Sequence, residues 1–557
     1  MAVSSLLQRI ELPRAARFIN EDVRPVASER RTWTFLAFHN FWLLINCTIA
    51  AYLTGSALIP LGLTWWQAII AIVLGNILAT AALILASLAG AYYHISFPVF
   101  SRAVWGLWGS QFVVWNRIFL SLVWYGFQSW VGGQCTYLML LSWDPSLEAH
   151  VPNTIPASTG MTSAQFLSYF IFCVVSLPFL WIQPHKIQNF FYFASSITLV
   201  FFIVFLIWAL ATMGPEGFGD TISSGNSIPL PITGPPQSVT WLTISGIMST
   251  IGGIAAGILN QNDYARLAKT PGAAIWGQTV AFPLYSIAAS VIGILVTAAT
   301  QNRMGAPIWN PPTLLAQILL KDPSSGTRAA IFFAGLALSI SQLGSNLPGN
   351  AISGGIDLSS IFPKYINIRR GAYLMALMSP IVNPWRLVNT ATTFLTVLNG
   401  YSVFLAPMTG LMVAHYNLVA KAKINVDDLF VGKDSIYWYT AGVNWRAFVA
   451  WIVGVVPTMP GFIAAVNPKV VVSDGARNLY QLNYLFGFLV SAFVYWGLHK
   501  VVPHKPLDAF INDGTAAQEV QAIYEERWDQ TYGESEPGTE ETSIQRPKGP
   551  NSLTTSV

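Results

Sequence analysis

The chain has 557 residues, enough for about three or four soluble domains, but only 10% of them are charged where soluble proteins carry about 25%. A mean hydropathy of +0.50, with 53% apolar residues and 21 tryptophans, excludes an ordinary aqueous globule and describes a chain whose solvent is mostly lipid. The net charge of +4 conceals a basic body and an acidic end, since residues 505–557 hold ten Asp or Glu against four Lys or Arg; the basic residues sit in short loops between apolar runs, which speaks against nucleic acid as a partner.

Before the first apolar run, residues 1–33 form an arginine-bearing tail without the apolar core of a cleavable signal, so the first span is expected to insert as its own signal. Apolar runs then follow near 34–60, 63–90, 111–142, 164–183, 190–213 and 238–260. Six more lie near 274–299, 328–353, 372–391, 394–419, 445–466 and 480–501. In lipid each backbone polar group must be satisfied within its own segment, so these are expected to be twelve helices, and the class is an all-α polytopic membrane protein.

The first run, INCTIAAYLTGSALIPLG, contains Gly55 and Pro60, and the sixth, SGIMSTIGGIAAGILNQND, contains Gly252, Gly253 and Gly257. Small-residue interruptions five helices apart suit broken helices in an inverted repeat with a site at midplane. Close packing of helices at glycine is the alternative. The third run reads LSLVWYGFQSWVGGQ, in which Trp124 and Gln128 are four apart and share one face near mid-membrane. An indole there lies outside the interfacial belts, and an amide in hydrocarbon needs a partner. Together they can stack a flat heterocycle and bond its edge, or join two helices. Trp130 and Gln134 repeat the spacing nearer the outer boundary, where a belt residue is the better explanation. Arg117, in the first turns of this run, is expected to snorkel to the cytoplasm.

The eighth run ends SISQLGSNLPGNAISGGID, too polar to face lipid, with Ser341, Ser345, Asn346 and Asn350 around Gly344, Pro348 and Gly349. It must line a cavity, pack inward or coordinate a small cation with hydroxyls and carbonyls. No Asp or Glu falls inside the twelve runs, the nearest being Asp263 and Asp357. His39 and His415 are expected to be hydrogen-bonded structural residues. Cys47, Cys135 and Cys173 all lie in apolar runs, so neither disulfides nor a metal site is indicated. HExxH, GxSxG and GxxxxGK[ST] are absent, so neither an enzyme nor an ATP-driven pump is expected.

Apart from the end of the chain, seventeen Lys or Arg fall on the side of the N-terminus and six on the other, which predicts both termini in the cytoplasm. Loops 143–163 and 214–237, then outside, contain no Lys or Arg. The last segment, 502–557, is expected to be an acidic cytoplasmic tail, either a solvated end or a surface for cytoplasmic regulators.

These residues resemble the nucleobase cation symporter-1 family, whose fungal branch includes uracil, allantoin, uridine, thiamine and nicotinamide riboside permeases. The markers are NEDVRPVASERRTW before the first run, VWYGFQSWVGG in the third, NQNDYAR after the sixth, FPKYINIRRG after the eighth and GVNWRA opening the eleventh. The resemblance implies two inverted repeats of five helices, 34–213 and 238–419, with two added helices over 445–501. It implies a substrate ring stacked by Trp124 and bonded by Gln128 and Asn350. Gly253 matches a family glycine, but Ile254 stands where hydantoin-type members have a second tryptophan, which speaks against a hydantoin or cytosine-type substrate. Cys47 falls where the family has a polar contact.

For the cation, the resemblance points to the carbonyls of Leu43 and Asn46 and to Ser341, Gly344 and Ser345, one family hydroxyl having become glycine. H+ is therefore the expected co-transported ion, with Na+ the alternative and Asp357, His39 or a water as candidate carriers. Tyr401 and Phe404 of the tenth run are the candidate gate. The implied activity is import of a planar, amide-bearing heterocycle of uracil or allantoin type across the plasma membrane. A thiamine or nicotinamide riboside permease and a non-transporting nutrient receptor are the alternatives.

Overall fold

A computed structural model describes residues 11–12, 18–182, 188–215, 217–218 and 238–513. Most of the outer loop 214–237 and the acidic tail beyond 513 lie outside the described residues, as do the first ten residues. The described chain is helical, its extended pairing confined to isolated bridges at Trp33 with Ala268 and Thr440 with Val443. Among the described residues nine helices are long and apolar enough to cross a bilayer, and a bent pair makes a tenth. The other two expected spans are also helical. Gly109–Trp143, the third span, is 35 residues long, about 52 Å. The ninth is Ile368–Met378 followed by 3-10 turns at Ser379–Val382 and Pro384–Arg386, because Pro380 and Pro384 cannot continue an α-helix.

The first span breaks, but upstream of the position its glycine suggests. Phe35–Asn46 and Ile49–Ser56 meet at 60°, with Thr48 capping the second half by accepting from the Ala51 N–H at 3.4 Å. Cys47 and Thr48 therefore form the break. Gly55 serves instead as a contact, since a Cβ there would collide with the Ser290 carbonyl oxygen of the seventh span, Pro271–Met304. The sixth span, Val239–Leu259, runs unbroken through Gly252, Gly253 and Gly257. Here close packing wins, for a Cβ on Gly252 would lie 2.6 Å from the Leu398 oxygen of the tenth span.

The eighth span departs from expectation differently. Ser325–Asn346 does not end near 353; it widens into a π-helical turn at Leu347–Ile352 and continues as Ser353–Ile361. Pro348 supplies no N–H and crowds the preceding turn, so the helix loosens there without ending. Asp357 consequently lies inside the eighth span. Arg117 also differs from expectation: its side chain is buried and donates to Ser121 and, at 2.6 Å, to Ser353 Oγ. It is an inward tie between the third and eighth spans and does not snorkel. His415 is the structural residue expected, with Nδ1 2.9 Å from the Tyr495 hydroxyl.

Packing divides the spans into groups. The seventh lies along both halves of the first and along the second, Trp65–Tyr93, which also carries the sixth. The third packs on the eighth and on the fourth, Ser163–Trp181, while the fifth, Gln188–Ala211, flanks the eighth. The tenth, Ala391–Ala414 with a π-turn to Val419, touches the sixth and lies along the twelfth, Asn483–Val501. The first and seventh spans approach reciprocally, since a Cβ on Gly293 would strike the Tyr52 carbonyl oxygen and Ser290 Oγ donates to Ala51 O at 2.8 Å.

Gly293→Ala is expected to cost about 1–3 kcal/mol through this backbone collision, whereas Gly326→Ala, facing open space, leaves stability unchanged. Thermal melts of the two detergent-purified variants beside wild type measure the difference.

Candidate functional site

Trp124 and Gln128 lie at mid-length of the third span on the face turned to the eighth. Trp124 is half-buried, its ring edge-on to Phe127 at 5.1 Å and to Tyr401 of the tenth span at 6.4 Å. Gln128 is buried, and its Oε1 accepts from the Ser345 hydroxyl at 3.3 Å. The same hydroxyl reaches the Ser341 carbonyl at 3.0 Å.

Asn350 sits within the π-turn. Its orientation is fixed by a chain that begins at a backbone carbonyl, a group that can only accept. Asn346 Nδ2 donates to Tyr125 O at 3.2 Å and Ser129 Oγ at 3.1 Å. Asn346 must then turn Oδ1 the other way, where it accepts from Asn350 Nδ2 at 2.9 Å. This leaves Asn350 Oδ1 as a free acceptor and the Gln128 amide hydrogens as free donors among the described residues. A free acceptor on the eighth span and free donors on the third, one turn from Trp124, are the groups that the N–H and C=O of a planar cyclic amide would need.

The first and sixth spans face this pair less directly. Cys47 is buried at the helix break, in the core against which Trp124 and Tyr401 pack. Gly253 is packed at ordinary contact distance, a Cβ there meeting Thr54 Oγ1 at 3.5 Å and Leu398 at 3.9 Å. Ile254 is half-buried beside it. Tyr401 donates to the Gly252 carbonyl and so ties the tenth span to the sixth next to Trp124. Phe404 is not brought to this cluster: its ring meets Phe462 at 5.7 Å and its carbonyl takes the Trp451 N–H at 3.1 Å, both in the eleventh span, Trp445–Val466.

The cation residues are only partly assembled. Leu43 O accepts the Cys47 N–H at 3.0 Å, and Asn46 Nδ2 donates to Phe282 O at 2.9 Å. Ser341 Oγ is buried without a partner, but Ser345 is engaged with Gln128. The open side of Gly344 is filled by Ala194 of the fifth span, 2.6 Å from where a Cβ would stand. Among the described residues no group of three or more His, Cys, Asp or Glu could hold a metal.

A second buried polar cluster was not apparent from sequence because its members lie far apart in the chain. Arg117 and Asn260 both donate to Ser353 Oγ, the latter at 2.7 Å, and Asn260 also reaches Asp263 at 3.3 Å. Burial pushes the Asp263 carboxyl up, opposed by the Arg266 guanidinium. Asp357 is wholly buried with both carboxylate oxygens lacking a hydrogen bond, and the charges of Arg117 and Asp263 act on it. His39 lies apart, Nδ1 3.2 Å from the Tyr285 hydroxyl. Sequence offered one signal for part of this: Asn350, Ser353 and Asp357 are spaced for one helix face.

A family model described as permease for cytosine/purines, uracil, thiamine, allantoin matches residues 25–487. The allantoin permease of Saccharomyces cerevisiae is 36% identical over 501 residues, 89% of this chain and 78% of that protein. The uracil permease of the same yeast is 34% identical over 521 residues, 92% of this chain and 81% of that one. The fold is similar to that of Mhp1, a nucleobase-cation-symport-1 family transporter solved in a closed conformation with bromovinylhydantoin bound, with a TM-score of 0.69 at 22% identity, covering 91% of this chain and 99% of that one.

Asn346→Ala is expected to destabilise by about 1–3 kcal/mol, because it strips partners from Tyr125 O, Ser129 and Asn350 at once. Asn350→Ala, which frees only one acceptor, should cost less, and chemical denaturation in detergent compares the two.

Proposed function

The chain belongs to the permease family for cytosine/purines, uracil, thiamine and allantoin, and from that premise we propose that it is a secondary active transporter importing a planar, amide-bearing heterocycle of uracil or allantoin type. The observation that carries the reading is the free acceptor on Asn350 and the free donors on Gln128 beside Trp124. Each bond to a desolvated amide edge is worth about 1 kcal/mol net, and leaving one partner unpaired costs about 1–3 kcal/mol, so an analogue lacking one carbonyl is rejected by about 10- to 100-fold. Cys47, Gly253 and Ile254 would complete the pocket from the first and sixth spans. Ile254 in place of a second stacking tryptophan favours, as the second reading, a bulkier ligand of thiamine or nicotinamide riboside type.

Transport would follow from rocking of the first, second, sixth and seventh spans against the third, fourth, eighth and ninth, which is how packing groups most of them. Residues 34–213 and 238–419 would form the two repeats, with 445–501 added. Tyr401, bonded to Gly252 and edge-on to Trp124, is the gate residue we favour. The lysine and arginine bias supports both termini in the cytoplasm, and the fungal permease relatives support a plasma-membrane location, with the tails open to cytoplasmic regulators.

For coupling we favour H+ over Na+, because the oxygens of a sodium site are partly spent and Gly344 offers no hydroxyl. Asp357 is the carrier the geometry supports. As an anion without hydrogen bonds it carries a large desolvation cost, and a proton would remove its charge beside the Arg117 tie that reaches the π-turn through Ser353.

In cells lacking their own permeases, labelled uracil or allantoin should accumulate in a saturable way, more at acid external pH, and a protonophore should remove the accumulation. Trp124→Ala and Gln128→Ala should abolish uptake with surface expression intact, and normal transport by either would refute its role. Asp357→Asn should still bind the label but lose accumulation against a gradient. Retained protonophore-sensitive accumulation in that variant would assign the proton elsewhere.

A further inference from the structure

The tryptophan and glutamine four apart in the third span occur twice, and the second pair has its own cavity. Trp130 and Gln134 stand six residues beyond Trp124 and Gln128, about 9 Å along the helix. With Trp309, Asn310, Thr313 and Asn389 they line a cavity of about 210 Å³, the room of about seven waters at about 30 Å³ each.

Its polar groups are arranged and unspent. Asn310 Nδ2 donates to Gln134 Oε1 at 3.4 Å, which leaves the Gln134 amide hydrogens and the Asn310 Oδ1 without partners among the described residues. Trp130 Nε1 is likewise buried with no acceptor. Asn310 opens the helix Pro311–Lys321, yet makes no side-chain cap. The first two helical residues are prolines with no N–H to offer, so its carbonyl is not consumed locally. The interior thus repeats the donor and acceptor set of the inner site beside aromatic rings.

A series of rings joins the two places. Trp124 meets Phe127, Phe127 stacks on Phe394 of the tenth span at 5.8 Å and 22°, and Phe394 meets Trp309 at 5.6 Å. Phe127 and Phe394 are both buried and stand as the partition between them.

We propose that the outer cavity is a second binding subsite for the same planar, amide-bearing ring, held between Trp130 and Trp309 and bonded by Gln134 and Asn310 before it passes the Phe127–Phe394 partition. The inference rests on the transport reading and on the outer placement of this end of the third span.

The test uses the full chain in intact cells lacking their own permeases. In a Cys173→Ser background, Asn389→Cys and, separately, Thr313→Cys place a thiol at the exposed rim, while native Cys47 and Cys135 are buried and the partly exposed Cys173 is removed. Labelling by a membrane-impermeant maleimide is timed with and without uracil or allantoin, whichever the wild type takes up. At a probe concentration about four times its Kd, occupancy should slow labelling about five-fold, and equally so when Gln128→Ala has removed the inner site. Protection that vanishes with Gln128→Ala would report closure over the inner site and overturn the subsite. Labelling that ignores the probe, or no labelling at either rim position, overturns it as well. A wild-type protein that neither takes up nor binds either probe would defeat the transport reading itself, and this inference with it.

Discussion

In hydrocarbon a backbone N–H or C=O without a partner costs several kcal/mol, so each place where a spanning helix breaks or loosens must be answered by polar groups from neighbouring helices. Two such places decide this structure. The first span breaks at Cys47–Thr48, and the eighth loosens at Leu347–Ile352. At the first the Thr48 hydroxyl takes the Ala51 N–H, and at the second the Tyr264 hydroxyl donates to the Pro348 carbonyl, while Asn46 on Phe282 and Asn346 on Tyr125 tie the broken spans to their neighbours.

Preorganisation follows from that requirement. The third span holds a rigid backbone carbonyl at Tyr125, which orients Asn346, which in turn orients Asn350. The Asn350 amide is therefore held in one orientation, and in the proposed role it would lose little side-chain entropy on binding. The glycine contacts act in the same direction, because Gly55 and Gly293 bring the first and seventh spans to backbone distance and fix where the broken helix sits.

The buried ionic cluster below the pocket has another logic. Arg117, Asp263 and Asp357 come from three segments; Arg117 and Asp263 are linked through Ser353 and Asn260, and Asp357, without a side-chain hydrogen bond among the described residues, feels both charges. Charges this deep are tolerated only when paired or neutralised. In the proposed function a change in protonation there would bear on the π-turn that holds Asn350, through Ser353.

The sequence by itself determined the twelve apolar segments, the family motifs and the polar character of the eighth span, because hydropathy and the helical period are local properties. It also singled out Trp124 and Gln128, since residues four apart on one helix share a face in any fold, and Asn350 through the family resemblance. Tertiary structure alone decided which alternative each ambiguous feature took. Gly252 and Gly253 read equally as a break or a packing contact until Leu398 is seen against Gly252. Arg117 has the pattern of a snorkelling anchor until Ser353 arrives from 236 residues away. Phe404 shares a helix with Tyr401 yet turns to the eleventh span. In each case the deciding partner lies on another helix, and the energy that chooses between packing, pairing and solvation exists only once the two helices meet.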